Sequence, residues 1–185
     1  MGVDGDLLKQ YTMATWGYKQ GESVSLMIHL GVRLGLYEAL DGAGPVTPGD
    51  LAAATGLHER WLREWLRSQA AAGLMVSEEG ETFELQTEAA MVLARKGTPT
   101  YAGGVFSHLR SPKVADGLAE AFRTGLGLTY DGQGEGSEQH VEAMLAPMAR
   151  ALLVPKVIPA LDGVADRLVA GAKVVDVGCG TGLAL

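Results

Sequence analysis

At 185 residues the chain has room for one or two domains, and its 47% apolar and 20% charged residues are ordinary for a folded globular protein. A net charge of −7, with basic residues that do not cluster, argues against a surface built for nucleic acid. The single cysteine excludes an internal disulfide, no Cys/His set has metal-ligand spacing, and no apolar run reaches the roughly 18 residues of a membrane span.

The start, Met1-Gly2-Val3-Asp4-Gly5-Asp6, lacks the basic segment of a secretion signal. With Asp6 where Ser or Thr is needed, it also fails the myristoylation pattern. The expectation is a cytoplasmic protein with no membrane partner. His29, His58, His108 and His140 are scattered and read as structural or exposed.

From about Asp6 to Leu40 the pattern predicts two helices. Asp6 can cap the first, which carries Leu7, Leu8, Tyr11 and Trp16 near helical spacing. Glu22-Ser23 opens the second, with Met27, Ile28, Leu30, Leu34, Tyr37 and Leu40 as its stripe, while Val24, Leu26, Val32 and Leu36 lie off it. A helix apolar on more than one face needs burial on more than one side. Either a homodimer partner or a deep monomer core supplies it.

Asp41-Gly42-Ala43-Gly44-Pro45 is a break. Thr47 as N-cap and Pro48 in the first turn then open a short helix that Gly56 ends. A longer helix from about His58 to Ala72 places Trp61, Leu62, Trp65 and Leu66 on one face, and Gly73 closes it. Leu74–Ser77 and Thr82–Leu85 form a hairpin around Glu78-Glu79-Gly80-Glu81. Helix, turn, helix and two-stranded wing is the winged-helix order. Its surface does not suit DNA: Arg60, Arg63 and Arg67 are interleaved with Glu59 and Glu64, and the wing carries Glu78, Glu79, Glu81 and Glu84 without a lysine or arginine. Phosphate contacts supply most non-specific affinity and need cations where the backbone passes. The module therefore reads as scaffold, with an operator reader as the alternative.

Ala89–Leu93 reads as a short helix, Lys96–Gly104 as loop, and Val114–Phe122 as helix again. Gly125 to Gly136 is too glycine-dense for a helix. It is a candidate binding loop or a plain linker, with Tyr130 as a weak pocket candidate. From Glu138 to Leu161 the composition is helical, but Pro147, Pro155 and Pro159 predict kinks or separate short helices. Asp162 can cap a last helix, Gly163–Ala170, which Gly171 terminates.

The chemistry lies in Val174-Val175-Asp176-Val177-Gly178-Cys179-Gly180-Thr181-Gly182. Two β-branched residues, an acid, another Val and alternating glycines read as a buried parallel strand entering a tight turn. Glycines there permit φ > 0 and a ligand's close approach to the main chain. The dinucleotide fingerprint G-x-G-x-x-G/A fits in neither register, because Leu183 or Leu185 falls on its third glycine. What stands is D-x-G-x-G-x-G. The plain alternative is a glycine-rich turn and nothing more.

That motif resembles the first motif of class I S-adenosylmethionine-dependent methyltransferases. Leu34–Leu40, Leu51–Leu57, Phe122-Arg123-Thr124-Gly125 and Ile158–Leu161 extend the likeness to the bacterial, mycobacterial-type subgroup with an N-terminal winged-helix and dimerisation region. The resemblance implies S-adenosylmethionine as cofactor, with Asp176 on its ammonium end and the Gly178, Cys179, Gly180, Thr181 and Gly182 stretch as its floor. It also implies a small-molecule methyl acceptor and a homodimer through the N-terminal helices.

The fold class expected is mainly α followed by the first strand of a Rossmann-like α/β domain. The divisions are residues 1–95 (dimerisation and winged helix), 96–171 (helical connector) and 172–185 (start of the cofactor domain). The chain reads as the N-terminal part of such an enzyme, inactive alone and weak for cofactor, with no assignable catalytic residue. A winged-helix transcriptional regulator and a structural dimerisation module are the competing readings. Without sheet neighbours, the Val174–Val177 strand should be disordered, packed on helices or paired with another chain.

Overall fold

The computed structural model describes residues 2–129, 131–134 and 136–183. Among these the chain is mainly helical with one two-stranded sheet, and it divides into two compact units, Met1–Ala90 and Met91–Leu185.

The first unit begins with one helix rather than two: α1 spans Gly5–Arg33. Its N-cap is Asp4, whose side chain accepts from the Asp6 and Leu7 amides at 3.0 Å each, so the cap lies two residues before the expected Asp6. The expected break at Gly21-Glu22 does not occur, because neither Gly17 nor Gly21 takes a left-handed φ. A glycine inside a helix lowers propensity without ending it. What ends α1 is Gly35, at φ 69°, from which the short α2 (Leu36–Leu40) departs. Residues 2–23 are exposed throughout, and burial starts with Ile28.

Helix α3 (Pro48–Thr55) has the complete cap that its sequence promises. Thr47 Oγ1 accepts from the Asp50 amide while the Asp50 carboxylate accepts from the Thr47 amide and hydroxyl. The Thr47 hydroxyl and amide hold the Asp50 carboxyl below its ordinary pKa. Helix α4 (Glu59–Ala71) starts at His58, whose Nδ1 accepts from the Arg60 amide. It buries Leu62, Trp65, Leu66 and Gln69. Trp61, expected on the same face, is 73% exposed, since it sits one residue round the helix from Leu62.

The first unit closes around one point. A Cβ at Gly31 would come within 2.5 Å of the Tyr37 ring and 2.6 Å of the Trp65 ring, so the close approach of α1 to α2 and α4 at this point requires glycine. Tyr37 and Trp65 pack edge to face at 5.2 Å. Both polar tips are satisfied: Trp65 Nε1 donates to the Met27 carbonyl at 2.8 Å, and the Tyr37 hydroxyl donates to Gln69 Oε1 at 2.6 Å. Burial pushes the Tyr37 phenol well above its usual pKa.

The wing pairs β1 (Val76–Glu78) with β2 (Thr82–Glu84) antiparallel, Ser77 opposite Phe83. A further bridge joins Val46 to Phe83 through two hydrogen bonds of 2.9 Å. It pins the segment before α3 to the wing and buries Phe83. Helix α5 (Thr87–Leu93) comes next.

In the second unit a 3-10 turn, Gly103–Phe106, precedes α6 (Pro112–Thr124), which Gly125 ends in the left-handed region. Beyond the glycine-rich loop, α7 (Ser137–Leu152) runs through Pro147. A π turn, Leu153–Val157, absorbs Pro155 and leads to the three-residue α8 (Ile158–Ala160), as the proline spacing predicts. The 3-10 turn lies tightly on α7, because a Cβ at Gly104 would collide with the Ala143 carbonyl oxygen. Helix α9 is Val164–Val169, with Gly163 rather than Asp162 at its N-cap and no side-chain cap bond.

The expected strand at Val174–Val177 does not form among the described residues. Its backbone groups have no partner strand, and three of its side chains, Val174, Val175 and Val177, stand in solvent. No helix among the described residues is long and apolar enough to cross a membrane.

Two substitutions test the packing point. Gly31→Ala should destabilise the chain by about 1–3 kcal/mol through overpacking. Tyr37→Phe, which orphans the buried Gln69 carbonyl, should cost about 1–3 kcal/mol as well. Urea unfolding followed by tryptophan fluorescence measures both.

Candidate functional site

The glycine motif forms successive turns. Gly178, Gly180 and Gly182 all take left-handed φ, of 78°, 56° and 83°, and the Gly182 amide closes a turn on the Cys179 carbonyl at 2.9 Å. Nothing lies within 4 Å of where a Cβ would stand on any of the three. Backbone conformation, not crowding, therefore calls for glycine here, and the bare main chain is open to a ligand.

Gly178, Cys179, Gly180 and Thr181 line one open cavity of about 590 Å³ together with Glu138 from the first turn of α7. Asp176 opens elsewhere, onto a groove of about 540 Å³ lined by Val174, Val175, Val177, Arg167 and Lys173 among others. The structure thus gathers the glycine floor and leaves the carboxylate beside it. Asp176, Cys179 and Thr181 are exposed. Tyr130, the remaining candidate, lies outside the described residues. Glu138 went unseen in the sequence, where a glutamate at the start of a helix carries no special signal.

A second polar cluster occupies the same unit. Ser107 Oγ lies 3.2 Å from His140 Nδ1, and the rings of His108 and His140 are 5.8 Å apart. Burial first, and then the neighbouring charge of His108, holds His140 below the ordinary histidine pKa, against an opposing hydrogen bond with the Gly104 backbone. Among the described residues, no group of three or more His, Cys, Asp or Glu side chains is placed to hold a metal ion.

The arginines of α4 are paired with carboxylates of the helix and the wing. Arg63 pairs with Glu59 at 2.7 Å and with Glu81 of the wing at 3.5 Å. Arg67 reaches the same Glu81 at 3.3 Å and also donates to the Gly80 carbonyl. Arg60 pairs with Glu64. Each exposed pair contributes little stability, yet together they neutralise the helix that would face a phosphate backbone.

Residues 22–95 match the family described as the Rv2258c-like winged HTH domain. Over 124 residues, 65% of this chain and 33% of the relative, the sequence is 35% identical to the tetracenomycin polyketide synthesis 8-O-methyl transferase TcmO of Streptomyces glaucescens. Among solved structures, the mitomycin 7-O-methyltransferase MmcR is 27% identical, with a TM-score of 0.55 over 80% of this chain and 44% of that one. Human N-acetylserotonin methyltransferase, solved in complex with SAM, shares the fold at 19% identity, with a TM-score of 0.61 over 88% of this chain and 51% of its own.

The family match and the observed elements define a winged helix-turn-helix domain over residues 22–95. Over the matched lengths the chain is similar to methyltransferases. It spans about a third of TcmO and about half of the solved human relative.

Two measurements check the cations and the histidine pair. In a gel shift at about 50 mM salt, micromolar protein should leave a random-sequence duplex unmoved, because the α4 arginines are already paired. For His140, a lowered folded pKa means that the unfolded chain binds more protons. Its contribution is therefore full above the unfolded value of ~6.5 and is lost as pH falls through the folded value. Ring-proton NMR should show His140 titrating below that value, and His108→Gln should move it upward.

Proposed function

We propose that the chain is part of an S-adenosylmethionine-dependent methyltransferase acting in the cytoplasm on a small-molecule acceptor. In this reading residues 1–95 are its dimerisation and winged-helix region, 96–171 a connector, and 172–185 the start of its cofactor domain. Val174–Val177 becomes the first strand of a Rossmann-like sheet once neighbouring strands are supplied. The protein works as a homodimer through its N-terminal helices. The observation that carries the reading is the 35% identity to an O-methyltransferase in a chain that also matches the winged-helix domain over residues 22–95.

The cofactor, when bound, supplies a methyl group activated by a positively charged sulfur. The residues proposed to hold it are Asp176, Gly178, Cys179, Gly180, Thr181 and Gly182. The Asp176 carboxylate accepts hydrogen bonds from the cationic ammonium end, and its charge makes those bonds the strong ones of the site. The amides and carbonyls of Gly178 to Gly182 meet the ligand directly, because their left-handed glycines leave the main chain uncovered. Tyr130 is the remaining pocket candidate. No residue is proposed as catalytic base. The paired arginines of α4 give the DNA-reader alternative no support.

Calorimetry on the product of the complete reading frame tests the proposal. S-adenosylmethionine should bind there, and Asp176→Asn should weaken it at least ten-fold, or ~1.4 kcal/mol. Cys179→Ser, which keeps the main chain, should change affinity little. Absence of binding would remove the reading.

A further inference from the structure

The cavity at the glycine turns carries a charge that its main chain does not supply. Its volume of about 590 Å³ falls within the roughly 300–1,000 Å³ of small-molecule sites. Gly178, Cys179, Gly180 and Thr181 give it backbone groups, a thiol and a hydroxyl, and Glu138 adds the one carboxylate. No lysine or arginine is among these lining residues. Glu138 stands in the first turn of α7, where the positive end of the helix favours a carboxylate.

The other acid of the motif has different surroundings. Asp176 opens on a separate groove that Arg167 and Lys173 also line, so cations of the chain itself share its space. By formal charge the lining side chains leave one net negative charge at the glycine cavity and one net positive charge in the groove. A cavity of hydrogen-bonding main chain with a single carboxylate suits a ligand that is polar and cationic. A methyl donor with an ammonium and a sulfonium is such a ligand.

We propose that Glu138 faces the sulfonium of the cofactor and makes the site prefer the methylated donor to its demethylated product. This rests on the methyltransferase reading above, which gives the ammonium to Asp176 and names no partner for the sulfur. A sulfonium has no N–H to donate, so the attraction is Coulombic and is weakened by salt at an exposed carboxylate. Transfer of the methyl group to the acceptor leaves the S–C bonding pair on sulfur. Glu138 then faces a neutral thioether, and its attraction ends. The carboxylate thus holds the donor more tightly than the transition state or the product. It determines specificity between fresh and spent cofactor and does not speed the transfer.

Calorimetry with S-adenosylmethionine and S-adenosylhomocysteine, on the product of the complete reading frame, tests the assignment. Glu138→Gln should weaken the first at least ten-fold and change the second by less than about two-fold, the retained product affinity showing that the variant is folded. Glu138→Asp, which keeps the charge, should keep most of the preference. In the unsubstituted protein the ratio of the two affinities should shift toward the product as salt rises from about 0.02 M to about 0.5 M, and in Glu138→Gln it should stay constant. Equal weakening of both ligands, or of neither, would overturn the role of Glu138 and spare the cofactor reading. Binding of neither ligand by the unsubstituted protein would overturn both.

Discussion

Everything in the first unit depends on one close approach. Because Gly31 has no Cβ, the Tyr37 and Trp65 rings can press against the backbone of α1, and the three helices α1, α2 and α4 share a single packing point. Neither ring could be buried there as pure hydrocarbon. Trp65 needs the Met27 carbonyl and Tyr37 needs Gln69, which is itself fully buried and held by the Ser68 hydroxyl. A polar group taken from water without such a partner costs more than the ring's burial is meant to supply. The node is thus a small hydrogen-bonded network inside an apolar shell. It fixes the angle at which the recognition-like helix α4 leaves α1, and with it the position of the wing.

That geometry explains why a fold associated with operators reads as a scaffold here. The wing returns Glu81 to α4, where it takes both Arg63 and Arg67. A DNA reader keeps such arginines free on the outer face. In this chain they tie the hairpin to the helix, and the tie at Val46–Phe83 holds the hairpin from its other side. The surface that remains, in the groove beside Trp61 and along the first half of α1, carries exposed apolar side chains.

Much of the first unit was legible in the sequence because its signals are local. The Thr47 cap, Gly56, Gly73 and the Glu79-Gly80 turn each act within four residues and stand where expected. The failures came where a distant partner decides. A second helix was expected to open at Glu22-Ser23, yet one helix passes through; Trp61 shares a period with Leu62 and Trp65 but faces away from the core. Val46 could not be tied to Phe83 from spacing alone. At the glycine motif the turn was readable, because left-handed φ is a property of the residue itself, whereas strand 174–177 needs neighbours to pair with. Glu138 and the separation of Asp176 from the glycine floor were invisible for the same reason, since tertiary placement sets both.

The π turn at Leu153–Val157 sets the phase between α7 and α8. A five-residue turn in place of a four-residue one accommodates a single extra residue, and a helix rotates by about 100° for each residue it gains or loses. Leu153–Val157 is therefore a phase slip between α7 and α8. Deleting one residue there would restore an unbroken helical period only by turning Ile158 and the segment after it to a different azimuth.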